Sequence, residues 1–272
     1  MKRIFLFFIL GLLTCSYVSG QSFKEDVAKA LNAKNMIKAE SILKAWDLAD
    51  ANDPELYVSY FNFFTLKSQE KDANNPDKEF VKKALEFIAE GVERFPTRFD
   101  MRIAEIYMLA KIKDFETLTS KVINMIDYSK KIENNWKGED FRLVGSPFEM
   151  LEGSVLDFQG RLYAEDNPAL YQNIVRISET MLKHYPKHVQ SMLNLSTVYI
   201  SEKKYDKSID ILKKATEIEP SNAILLYNLG YVYGVKEDKG NARKYFELSV
   251  ANCTPKEAEL KEAAQKQLEQ IK

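Results

Sequence analysis

The chain has 272 residues, 45% hydrophobic and 29% charged, and its 39 basic side chains nearly balance 40 acidic ones to leave a net charge of −1. That balance excludes a nucleic-acid binder, which needs a concentrated basic face. The two cysteines, Cys15 and Cys253, are too few for a disulfide framework, so the fold rests on its core, and roughly 250 residues suffice to bury about 70–75% of the unfolded surface.

The N-terminus reads Met1-Lys2-Arg3, then an apolar run over 4–13, then small and polar residues over 14–20. Basic start, short apolar stretch and small Val18 and Gly20 predict a secretory signal over 1–20, cleaved before Gln21. The apolar run falls short of the about 20 residues a membrane span requires, and every later apolar run is broken by charge. The expectation is an exported protein, periplasmic or secreted, with no membrane span. Leu12-Leu13-Thr14-Cys15 gives an alternative: it looks like a bacterial lipoprotein box, although Thr14 is bulkier than the residue usually found before that cysteine. Acylation of Cys15 would anchor the chain at the outer membrane, since two acyl chains hold a protein firmly.

Residues 21–130 predict divergent helical hairpins. Ala84, Leu85, Ile88, Ala89 and Val92 form one apolar stripe at helical spacing, and no stretch alternates as a strand would. Five prolines follow a capping or turn residue, in Asp53-Pro54, Asn75-Pro76, Ser146-Pro147, Asn167-Pro168 and Thr254-Pro255, and mark helix starts, where the missing N–H is no loss. Ser146 with Glu149 and Thr254 with Glu257 fit the capping box. Pro96, Pro186 and Pro220 follow amphipathic runs and mark helix ends. Twelve to fourteen helices of about 10–15 residues are expected.

Residues 131–165 break the rhythm. They hold Gly138, Gly145, Gly153 and Gly160 together with Trp136, Phe141, Phe148 and Phe158, which predicts a packed, ordered connector and then a helix, since a loose linker would lack the aromatics.

Residues 166–254 carry the main signal, clearest in 189–222 and 223–254. At a spacing of 34 residues Leu195 recurs as Leu229, Tyr199 as Tyr233, Ser208 as Ala242, Leu212 as Phe246 and Ala215 as Ser249. Pro186 and Pro220 stand the same 34 apart. Such a period marks stacked helix–turn–helix units. Residues 255–272 place Ala263, Ala264, Leu268 and Ile271 on one stripe with charge opposite, as a terminal capping helix requires.

In these positions the chain resembles the tetratricopeptide repeat family. Met192, Leu195, Ser196, Tyr199, Ser208, Leu212, Ala215 and Pro220 occupy one unit's signature places. Leu226, Leu229, Gly230, Tyr233, Ala242, Phe246 and Ser249 occupy those of the next, with Pro255 one place late. The small residues let two helices of a hairpin approach while the large ones fill the grooves between ridges. The resemblance implies an all-α fold, an α-solenoid of stacked antiparallel hairpins forming a superhelix. It also implies a partner held in a concave groove lined by first helices. Carried over, the lining is Gln190, Leu193 and Thr197, then Ile224, Tyr227 and Tyr231, with Asn194 and Asn228 beside it. This lining suits a peptide or helix of another envelope protein, tyrosine being a frequent interface anchor. The family subtype that clasps a C-terminal carboxylate places Lys and Asn where this chain has Leu193 and Thr197, so that ligand is not expected.

No catalytic constellation appears. His184 and His188 are separated by Pro186 and do not share a helix face, and they read as solvent-facing turn residues with no metal between them. Cys253 reads as a half-buried structural thiol. No phosphate-loop spacing occurs in 138–160. A site in that region would require Trp136, Phe141 and Phe148 to line a polar pocket. The expectation is a non-catalytic interaction scaffold of the cell envelope, not an enzyme, without cofactor. The alternative is a lipoprotein serving envelope assembly or nutrient uptake.

Overall fold

In a computed structural model, which describes residues 20–139 and 145–271, the chain is an all-α helical solenoid, with thirteen α-helices among the described residues. The expected signal over 1–20, the Cys15 box and Phe141 fall outside these residues, except Gly20, which opens the first helix. The chain divides into two compact units, one ending at Pro96 and one running Thr97–Lys272. The sequence pattern alone predicts a first boundary later, at 130.

The first unit holds α1 (Gly20–Asn32), α2 (Met36–Ala49), α3 (Pro54–Gln69) and α4 (Lys78–Arg94). Asp53 explains the start of α3: its Oδ1 accepts the Glu55 N–H at 2.9 Å, Pro54 takes the first turn, and its Oδ2 accepts the Trp46 indole N–H at 3.2 Å. One side chain thus caps a helix and fixes the largest core residue. Tyr60 stacks on Phe87 at 4.2 Å between ring centres, and burial pushes its hydroxyl up to about 12. Asn75-Pro76 does not start a helix. The backbone N–H of Asp77 returns to the Ser68 carbonyl at 2.8 Å, and Asp77, an equally good cap, accepts the Glu79 N–H at 2.9 Å, so α4 begins at Lys78.

The second unit holds α5 (Phe99–Lys111), α6 (Phe115–Lys131), α7 (Pro147–Ala164), α8 (Tyr171–His184), α9 (Val189–Ser201), α10 (Tyr205–Ile218), α11 (Ala223–Val235), α12 (Lys239–Asn252) and α13 (Ala258–Gln270). Short 3-10 turns precede α8 at Pro168–Leu170 and α13 at Pro255–Glu257. The Thr254–Glu257 capping box forms. Ser146 stands before α7 without a side-chain cap bond, so only half of the expected capping boxes close.

Four hairpins share one turn. Lys34, Lys113, Lys203 and Glu237 each sit at positive φ, from 55° to 61°. In each, that residue's N–H reaches back three residues and the next N–H reaches back five, as in Lys203 to Ile200 and Lys204 to Tyr199. This is a Schellman closure, and the residue after it begins the second helix. Asn35, Asp114 and Asp238 there also cap with their side chains. The turn repeats in α1–α2 and α5–α6, where the sequence signature is thin. Close approach follows the small residues: Ser196 Oγ lies 3.2 Å from Ser208 Oγ.

The described residues that follow α6 are packed. Residue 98 bridges to 137 in parallel fashion, with Phe99 N–H to Lys137 O at 2.8 Å and Lys137 N–H to Thr97 O at 2.9 Å. Trp136 is fully buried, donates to Ser129 Oγ at 2.9 Å and lies under the Arg102 guanidinium. Phe158 is likewise core, and Phe148 packs on Tyr185. At the C-terminus Ala264 and Leu268 of α13, with Ile271 just past its end, close the cluster built on Leu229 and Phe246, which is how a cap buries a last apolar face.

Candidate functional site

Helices α9 and α11 contribute to one buried cluster, Leu193 from the first and Leu225, Leu229 and Val232 from the second. Each leaves one stripe toward solvent, in the same register 34 residues apart. On α9 the stripe is Gln190, Asn194, Thr197 and Ser201; on α11 it is Ile224, Asn228, Tyr231 and Val235. A 3.6-residue turn brings such positions to one face.

The two stripes differ in chemistry. On α11, Ile224, Tyr231 and Val235 are 44%, 40% and 41% exposed. This helix is apolar all round, a pattern that ordinarily means complete burial. Tyr227 borders the stripe, half-buried with its ring edge-on to Phe246 at 5.4 Å. On α9 the polar groups are engaged within the chain. Gln190 donates to Asn194 Oδ1 at 3.3 Å, and Asn194 Nδ2 donates to Gln159 Oε1 at 2.7 Å. Thr197 and Ser201 return their hydroxyls to the Leu193 and Thr197 carbonyls.

Leu193 is 7% exposed. It belongs to the core and offers no surface, because an aliphatic side chain at the edge of the first helix of a hairpin falls toward the neighbouring hairpin when that hairpin is apolar. The other seven residues carried over from the family pattern are at least partly accessible.

The α9 stripe is held by a buried amide that sequence reading missed. Gln159 of α7, 1% exposed, donates to Ser178 Oγ at 2.8 Å and to the Ile174 carbonyl at 3.3 Å while accepting from Asn194. Tyr163, one turn later, donates to the Asn194 carbonyl at 3.1 Å, and burial pushes its hydroxyl up. Polar residues at an otherwise apolar spacing in α7 were the available sign.

The histidines are not solvent-facing. His188 is buried and caps α9, accepting the Ser191 N–H on Nδ1 at 3.2 Å, while Nε2 lies 2.8 Å from Glu152 of α7. His184 Nε2 lies 2.5 Å from Asp127 of α6. Carboxylates distant in sequence supply the partners, which local spacing does not reveal. Among the described residues no group of three or more His, Cys, Asp or Glu side chains is placed to hold a metal, and no helix is long and apolar enough to cross a membrane. A hollow of about 460 Å³ at the start of α11 is lined in part by Asn222, Ile224, Asn252 and Glu257. Asn222 Oδ1 already caps two α11 amides there.

Two family models match this region: one for the TPR repeat over residues 197–235, and one for the tetratricopeptide repeat over 223–251. A search of curated proteins found no match. Similar solved structures include TTC0263, a thermophilic TPR protein of Thermus thermophilus, at 15% identity and TM-score 0.32, covering 92% of this chain and 99% of that one. The TPR2AB domain of yeast Sti1 in complex with pHSP90 gives 13% identity and TM-score 0.34, covering 92% and 96%. The RpL4 assembly chaperone Acl4 gives 10% identity and TM-score 0.40, covering 93% and 98%. Likenesses this distant add no weight, and the two family models reach only over residues 197–251.

Proposed function

We propose that this chain, whose residues 197–251 match tetratricopeptide repeat models, is a scaffold that docks a segment of another protein on the outer stripes of α9 and α11. The observation behind this reading is the apolar row Ile224, Tyr231 and Val235, exposed on a helix whose composition otherwise belongs in a core. Water contact with such a row is unfavourable, at about 25 cal/mol per Å² of apolar surface, and a partner relieves it. A photo-reactive residue placed at Tyr231 should crosslink a discrete partner, and one placed at Lys214 on α10 should not. Equal labelling from both positions defeats the reading.

The same proposal includes the envelope setting, supported by the basic start and apolar run of residues 1–13. Mass measurement of the mature N-terminus tests it. A chain beginning at Gln21 agrees with a soluble exported scaffold. An acylated Cys15 favours the alternative, a lipoprotein accessory to envelope assembly or nutrient uptake. An unprocessed Met1 refutes both.

A further inference from the structure

We propose that the segment docked on α9 and α11 is uncharged: an extended stretch of a partner chain with aliphatic and aromatic side chains and no Asp, Glu, Lys or Arg where it lies on α11. This rests on the docking reading above. The thirteen residues of α9 and the thirteen of α11 include no charged side chain, in a chain that is 29% charged. Their hairpin partners differ: α10 carries Asp206, Lys207, Asp210, Lys213, Lys214 and Glu217.

Burial accounts for the missing charge at positions such as Leu195 and Leu229, but not at Thr197, Ser201, Tyr231 and Val235, which are exposed. Lys or Glu there would form helix better than Thr or Val and would be solvated freely. Just past the C-terminal ends of the two helices the charges are paired, Glu202 with Lys204 at 2.8 Å and Lys236 with Asp206; Glu219 and Glu257, which share a hollow with Ile224 at the start of α11, accept from Asn222 and Thr254. Along Asn228, Tyr231 and Val235 a charged group would lose water and meet no charge on either helix, which is strongly unfavourable. Complementarity here is neutral against neutral. From Ile224 to Val235 the stripe runs about 16 Å at 1.5 Å per residue, which about five extended residues match.

The test selects binders from a displayed library of random dodecapeptides against the purified full chain, at 50 and 500 mM salt. Selected peptides should contain a five-residue core depleted at least threefold in charged residues. Their affinity should change less than twofold between the two salts, because screening acts only on charge. Binding should fall at least tenfold in Ile224→Ser/Tyr231→Ser and in the milder Val235→Ser variant, with helicity by circular dichroism unchanged, and should be retained in Lys213→Ala. Charged peptides that bind salt-dependently and are lost in the α11 variants overturn the neutral partner while leaving the docking reading intact. Peptides indifferent to the α11 variants overturn both. Absence of any enriched sequence overturns the inference, as does self-association of the full chain that the α11 variants abolish, which would make a second copy the occupant.

Discussion

A β-carbon built on Gly230 would stand 2.8 Å from the Phe246 ring. One unit earlier the same two places hold Ser196 and Leu212, so a larger residue at the first position accompanies a slimmer one at the second. The pair sets how closely α11 approaches α12. Gly230→Ala should therefore destabilise the chain by about 1–3 kcal/mol through overpacking, read as a lowered urea midpoint. Adding Phe246→Leu to Gly230→Ser, which reproduces the earlier unit's pair, should recover part of the loss. Strict additivity of the two changes would contradict the coupling.

That complementarity was legible in the sequence because it repeats, Ser196 and Leu212 recurring as Gly230 and Phe246 at one period. The hairpin turns were less so. Lys34, Lys113, Lys203 and Glu237 are not residues that announce positive φ, and the sign lay one place later, in Asn35, Asp114 and Asp238 acting as caps. The pairing of 97–99 with Lys137 had no local signature at all, since it joins segments nearly forty residues apart. For the docking stripe, the family pattern indicated direction along the helix but not depth, so Ile224 and Tyr231 emerged exposed while Leu193 sank into the core.

Gln159 ties α7 to both α8 and α9 through Ser178, Ile174 and Asn194. Gln159→Leu leaves those partners without a mate in a buried setting and should cost about 1–3 kcal/mol. A double-mutant cycle with Ser178→Ala should show a coupling of about 1 kcal/mol. A coupling indistinguishable from zero would mean that the amide fills space and sets no register.

His188 caps α9 through an unprotonated Nδ1, which requires the ring proton on Nε2, facing Glu152. His188→Asn keeps a capping oxygen and should retain most of the stability, whereas His188→Ala should lose about 1 kcal/mol. Hydrogen exchange of the first-turn amides of α9, beginning with Ser191, reports the difference directly. Equal protection in the two variants would remove the cap from the account.

Glu257 is held below the usual carboxylate range by the backbone N–H and hydroxyl of Thr254. With the folded value depressed, the ionised form stabilises the start of α13, a contribution present above about pH 4.5 and lost as pH falls through the lower folded value. The carboxylate lies at the surface, so the effect is small and local. Amide protection at the start of α13 should fall between pH 5 and pH 3, and Glu257→Gln should flatten that dependence. An unchanged slope in the variant would assign the titration to another group.

Lys203 occupies the left-handed region at a φ of 59°, where a β-carbon costs about 1–2 kcal/mol. Glycine there removes that strain but raises the entropy of the unfolded chain, a loss of about 0.4–1 kcal/mol. The first effect is larger, so Lys203→Gly should stabilise the α9–α10 hairpin by roughly 0.8 kcal/mol, the difference of the two midpoints. Lys203→Val, branched at the strained position, should destabilise it. Because Lys34, Lys113 and Glu237 share the conformation, glycine at all four should add nearly independently, the sites being far apart in sequence and sharing no partner. Urea midpoints of the single and quadruple variants decide it, and a quadruple variant less stable than the native chain would show that unfolded-state entropy outweighs the strain in these turns.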